Sequence, residues 1–131
     1  MLLDEIAAYL EGQNVGTRAT DLFTGFMPDT PDEVVVVYEN PGMPPSRSHS
    51  DSPNLEHPQI GVWARGTVDG DYAGPRQKAQ DAYNALVLIR NQTLSATLYL
   101  DVMPMQQPFL LERDDNKRAI IGFNAAVTKV P

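Results

Sequence analysis

The chain has 131 residues, 42% of them hydrophobic and 21% charged, which fits one globular domain with its own core. The net charge of −7 argues against a sequence-independent nucleic-acid binder, and the absence of cysteine excludes disulfides, thiolate zinc sites and a cysteine nucleophile. The first residues, MLLDEIAAYL, are acidic where a signal peptide is basic, and no apolar run approaches the ~18 residues of a membrane span, so neither secretion nor insertion is expected.

Residues 2–11 read as a helix. Leu2, Ile6 and Leu10 share one stripe that Leu3 and Ala7 widen, and Gly12 is placed to end it. TDLFTGFMP (20–28) reads as a short strand stopped by Pro28, and PDTPDE (28–33) as a turn cluster. VVVVYE (34–39) is a strand whose apolar faces predict cover on both sides. The next stretch, NPGMPPSRSHSDSPNLEHP (40–58), holds five prolines and both histidines, and is expected to be a long loop.

QIGVWARG (59–66) alternates, with Ile60, Val62 and Ala64 on one face and Gly61, Trp63 and Arg65 on the other. Tryptophan and arginine on the less aliphatic face suggest a contact surface, unless a helix of the same chain covers Trp63. A second helix is expected within 69–91. Asp71 caps it, or Gly74 does with Pro75 in the first position, and Ala79, Ala82, Tyr83, Leu86 and Ile89 form its apolar face. TLYLDVMP (97–104) alternates as a strand. PFLLER (108–113) and RAIIGFNAAVTKV (118–130) flank DDNK as a hairpin. The fold class is therefore α+β, with a largely antiparallel or mixed sheet carrying a short N-terminal helix and one main helix.

Catalytic patterns are absent. There is no G-x-x-x-x-G-K-[ST] loop and no G-x-S-x-G elbow. Ser48 or Ser50 with His49 and Asp51 would place a triad in adjacent, proline-broken positions without a rigid scaffold. His49, Asp51, Glu56 and His57 are acceptable metal-ligand types at a spacing that fits no helical or turn template. The paired aspartates Asp114–Asp115 and Asp69–Asp71 lie in turns, where aspartate bonds its own backbone. A small metal-dependent hydrolase using His49 and His57 remains the enzymatic alternative.

Several stretches carry a likeness together: LLDEIAAYLEGQNVG, DLFTGFMPDTPDEVVVVYENPGMPP, HPQIGVWARG followed by DYA and a helix, and PFLLERDDNKRAIIGFN. In this order they resemble the minor capsid or tail terminator proteins of long-tailed bacteriophages, over about residues 2–128. The glycine-proline within DYAGPRQ departs from the pattern, where related chains run straight into helix. The resemblance implies a compact structural virion protein, without cofactor or metal. It would form a homo-oligomeric ring, usually a hexamer, on the head-proximal end of the tail tube. There it would stop tube polymerisation and offer a surface to the head connector. A head-completion or neck protein of the same virion is the alternative. The expected partners are further copies of the chain, the tube protein and the connector, with neither a membrane nor a nucleic-acid sequence. Candidate contact residues are Met43, Arg47 and His49 in the 40–58 segment, with Trp63, Arg65, Arg113, Asp114 and Arg118.

Overall fold

A computed structural model of the chain describes residues 1–47 and 53–131. Among these residues two helices and seven strands follow in the order α1 (Leu2–Gly12), β1 (Leu22–Thr24), β2 (Val34–Arg47), β3 (Pro53–Arg65), α2 (Ala73–Leu86), β4 (Arg90–Leu94), β5 (Thr97–Pro104), β6 (Phe109–Arg113) and β7 (Ala119–Lys129). They form one sheet in the order β1-β2-β3-β7-β5-β4, with β6 also on β7. Every pairing is antiparallel except β1 with β2. This is the α+β architecture that the residue patterns imply.

β7 is the spine. One edge pairs with β3 from Ile120 to Lys129. The other pairs first with β6, at Ala119–Gly122, and then with β5, at Ala125–Lys129. β5 and β6 thus act as one interrupted strand. Between them the Asn124 N–H would lack a ladder partner, and Gln106 Oε1 accepts it at 2.6 Å.

Both helices cover one face of this sheet. Leu2, Leu3, Ile6 and Leu10 of α1 and Ala79, Ala82, Ala85 and Leu86 of α2 join Val35, Val37, Ile60, Val62, Ala64, Ile121 and Phe123 in one core. Glu5 is buried on the apolar side of α1, where the stripe alone predicts no charge. Its carboxylate accepts hydrogen bonds from the Tyr99 hydroxyl and the Thr97 hydroxyl, each at 2.8 Å. Burial, then the bond to Glu5, raises the Tyr99 phenol above its ordinary range.

Four local expectations change. Gly12 is the last helical residue of α1, and Asn14 takes the left-handed conformation, with φ 63°. Asn14 N–H bonds Glu11 O and Val15 N–H bonds Leu10 O, a Schellman ending that also buries Val15 against the core. α2 begins at Ala73 behind Tyr72, with Asp71 Oδ2 accepting the Gly74 N–H at 3.2 Å, so Pro75 is the third helical residue. α2 ends at Leu86, and Arg90–Leu94 is a strand that the sequence reading missed. RNQTL has no apolar alternation, and the strand exists through its pairing with β5.

The fourth change is the largest. Within 40–58, β2 runs to Arg47 and β3 starts at Pro53, so the expected loop is mostly an antiparallel arm. The register shifts between Asn40 and Met43 and between Met43 and Ser46. Pro41, Pro44 and Pro45 fall inside those two irregularities, where a missing N–H breaks no ladder bond. Gly42 is required there, because a Cβ would lie 2.5 Å from His57 O. Tyr99→Phe should lower stability by about 1–3 kcal/mol, because it removes a donor from a buried carboxylate. Urea unfolding at neutral pH, compared with wild type, measures it.

Candidate functional site

The face of the sheet without helices is laid out in rows by the strand register. Val34, Arg65 and Ile120 form one row, Val36, Trp63, Gly122 and Phe109 the next, Tyr38, Gly61 and Asn124 a third, and Asn40, Gln59, Ala126 and Met103 a fourth. Val34 and Val36 are buried here while Val35 and Val37 face the core, so the valine run is covered on both faces as expected.

Arg65 and Arg118 close the first row, and each is only 4% exposed. Arg65 Nε donates to Asp32 O at 2.8 Å, and its Nη2 donates to Pro31 O at 2.7 Å and Asp29 O at 3.2 Å. Arg118 pairs with three carboxylates: Asp114 through Nε at 2.7 Å, Asp32 through Nη1 at 3.1 Å and Asp29 through Nη2 at 2.9 Å. Its Nη1 also donates to Asp29 O at 2.7 Å. Burial presses the Asp114 carboxyl upward, but hydrogen bonds from Arg118 outweigh this and hold it below the ordinary aspartate range. Burial, the neighbouring Arg118 charge and partial compensation by the aspartates leave Arg65 below its usual value. The cluster pins the 29–32 segment to the sheet.

This placement engages three of the expected contact residues within their own chain. Arg65 and Arg118 face inward and act within their own chain, because a guanidinium removed from water needs acceptors on every side it buries. Asp114 belongs to the same cluster. Arg113 is exposed, donating to the main-chain carbonyls of Gly70 at 3.1 Å and Lys117 at 3.2 Å.

Trp63 is half-buried on the helix-free face, so no helix covers it. Its ring packs against Tyr38, with centroids 4.6 Å apart at 53°. Two glycines make room for the indole: a Cβ on Gly122 would stand 2.8 Å from Trp63 Cδ1, and one on Gly61 3.4 Å from Nε1. Beyond Trp63 the face opens to solvent. Phe109, in the same row as Trp63, is 43% exposed and Met103, in the fourth row, is 54% exposed, and neither is among the contact residues expected from the sequence. The fact that could have found them is the register with β7, which single-strand alternation does not contain.

The arm leaves the same sheet at Asn40 and Gln59. Residues 41–47 are all exposed, Met43 and Arg47 among them, and Lys129 moors the base to Glu56 at 2.7 Å. Ser46 Oγ and His57 Nε2 lie 2.7 Å apart on its surface. His49 lies outside the described residues, as does Asp51. Among the described residues no three His, Asp or Glu side chains converge as a metal site.

An exposed aromatic and methionine face beside a proline-studded arm has the composition of surfaces at which proteins meet. Residues 9–131 match the bacteriophage tail terminator protein family, and the chain belongs to it. With membership goes a structural role in the tail or head–tail region of a phage virion. A chain in the solved structure "Virion of native gene transfer agent (GTA) particle" superposes with a TM-score of 0.64 at 11% identity, over 95% of this chain and 94% of that one. A second solved structure gives 0.60 at 14% identity, over 98% and 94%. Both show the fold. No curated protein matches the chain.

Replacing Arg118 by Met should cost about 2–3 kcal/mol, less than the ~3–5 kcal/mol for breaking a fully buried pair, because Asp29 and Asp32 reach solvent. The stability tied to Asp114 is complete above the unfolded aspartate value of ~3.9 and is lost as pH falls through the lower folded value. The gap between wild type and Arg118→Met should therefore narrow toward the acid end of a denaturation series from pH 7 to 3.

Proposed function

We propose that the protein is a tail terminator that closes into a homo-oligomeric ring, six-fold in the simplest case, on the head-proximal end of the phage tail tube. The ring stops addition of tube protein and presents its free side to the head connector or neck. The observation that carries this reading is the family match over residues 9–131.

The geometry supports it. A ring needs heterologous contacts, in which two different surfaces of one chain meet on neighbouring copies. The arm and the Trp63 face are two such surfaces. The prolines of β2 remove N–H groups along an edge that would otherwise pair with any strand. The arm can therefore be held out in solution and still engage a shaped partner. The net charge of −7 favours a tube or connector surface that carries basic patches.

Native mass spectrometry over a concentration series, with isolated tail tubes added in a second series, tests the reading. A closed oligomer, or electron micrographs with the protein at one tube end and tubes that no longer lengthen, is the expected result. A monomer that leaves tube growth unchanged refutes it, and labelled protein on the capsid side of the neck moves the role to the connector. Trp63→Ala should weaken association by about tenfold or more if the indole is an anchor. Reduced stability with association unchanged would show a purely internal role.

A further inference from the structure

Two apolar surfaces remain unfilled near opposite ends of β7. At the first, β6 lies on β7 between Ala119 and Gly122, with its outer edge unpaired among the described residues. Phe109 and Leu110 there are 43% and 42% exposed. At the second, a groove of about 440 Å³ opens between the base of the arm and the start of α1. Met1, Leu2, Met43, Pro45 and Pro58 give it apolar walls.

The chain cannot fill this groove with its own β6. Gly122, beside Phe109, and Lys129, on the groove wall, are seven residues apart on one strand. That separation is roughly 23 Å in extended backbone.

The two surfaces are also complementary in charge. Arg113 ends β6, is exposed, and makes no ion pair among the described residues, its donors meeting only main-chain carbonyls. Glu39 lines the groove, is exposed, and makes no ion pair among them either. An exposed apolar edge with a cation therefore sits near one end of β7. Near the other lies a groove with apolar and polar walls, in which Lys129 is engaged by Glu56 and Glu39 is left as the carboxylate without an ion pair among the described residues. Distinct, mutually fitting patches on one chain join copies head to tail, not as two-fold dimers.

We propose that the β6 edge of one copy, with Phe109 and Leu110, seats in the arm groove of the next, bringing Arg113 toward Glu39. This rests on the assembly reading above and names the surfaces that meet. It also gives the arm's Met43 and Pro45 a defined partner. A basic tube protein would satisfy Glu39 but would leave the β6 edge and Arg113 unmatched.

The chain has no cysteine, so introduced thiols report contacts cleanly. The full chain is made as Met43→Cys, as Phe109→Cys and as the double variant, each compared with wild type by circular dichroism. Mild oxidation of the mixed single variants should give a disulfide-linked dimer, each single variant alone should stay monomeric on a denaturing gel, and the double variant should give a ladder. Phe109→Cys linking to itself as readily as to Met43→Cys overturns the proposal in favour of a two-fold contact. Native oligomers without the mixed cross-link overturn this contact while leaving the ring intact. No oligomer and no cross-link, with or without tail tubes, overturns both.

Discussion

Two buried arginines hold the beginning of the sheet together. Arg65 and Arg118 have almost no exposure, and among the described residues their hydrogen-bond acceptors come from the 29–32 segment and from Asp114. Removing a guanidinium from water is costly unless its donors are met, so the segment that supplies the carbonyls has little freedom. Pinning 29–32 sets where β2 enters the sheet. The valine run, the pairing of Val36 with Trp63 and the departure of the arm at Asn40 all follow from that entry point.

Three stretches distant in the sequence converge at this cluster. PDTPDE supplies the acceptors, WARG supplies Arg65, and RDDNKR supplies Asp114 and Arg118. Their common feature is therefore architectural. The buttress lets the remaining surface be irregular and exposed, because the scaffold under it does not depend on that surface for its register.

The helix-free face shows a related division of labour. Small residues at Gly61 and Gly122 let Trp63 lie down on the sheet against Tyr38, which leaves the neighbouring rows open. The arm carries its exposed length on a short paired base, moored by Glu56 and Lys129, with prolines placed where the ladder is already interrupted. Both devices keep an interaction surface available, and the arm's prolines remove donors that a passing strand would need. The β6 edge is short and apolar, with Phe109 and Leu110 exposed and its outer side unpaired among the described residues.

Much of the fold was legible in the residues taken in order. The stripe of α1, the valine strand, the alternation of β3 and the hairpin around DDNK follow from periodicities of 3.6 and 2 that local sterics impose. β5 is legible as a strand but not in its faces, because a register shift between Tyr99 and Asp101 puts Tyr99 in the core with Val102 and leaves Leu98 exposed. β4 was not legible, because a polar strand is defined by its neighbour. The arm is legible only as a loop, because prolines report missing local donors and not the bulges that tolerate their loss. On the candidate surface, the sequence by itself determined that Trp63 and Arg65 share a face, since alternation is local. Only the tertiary structure decided that Arg65 is enclosed while Trp63 stays half open. That outcome depends on which segment crosses over each residue, and burial is set by partners distant in the chain.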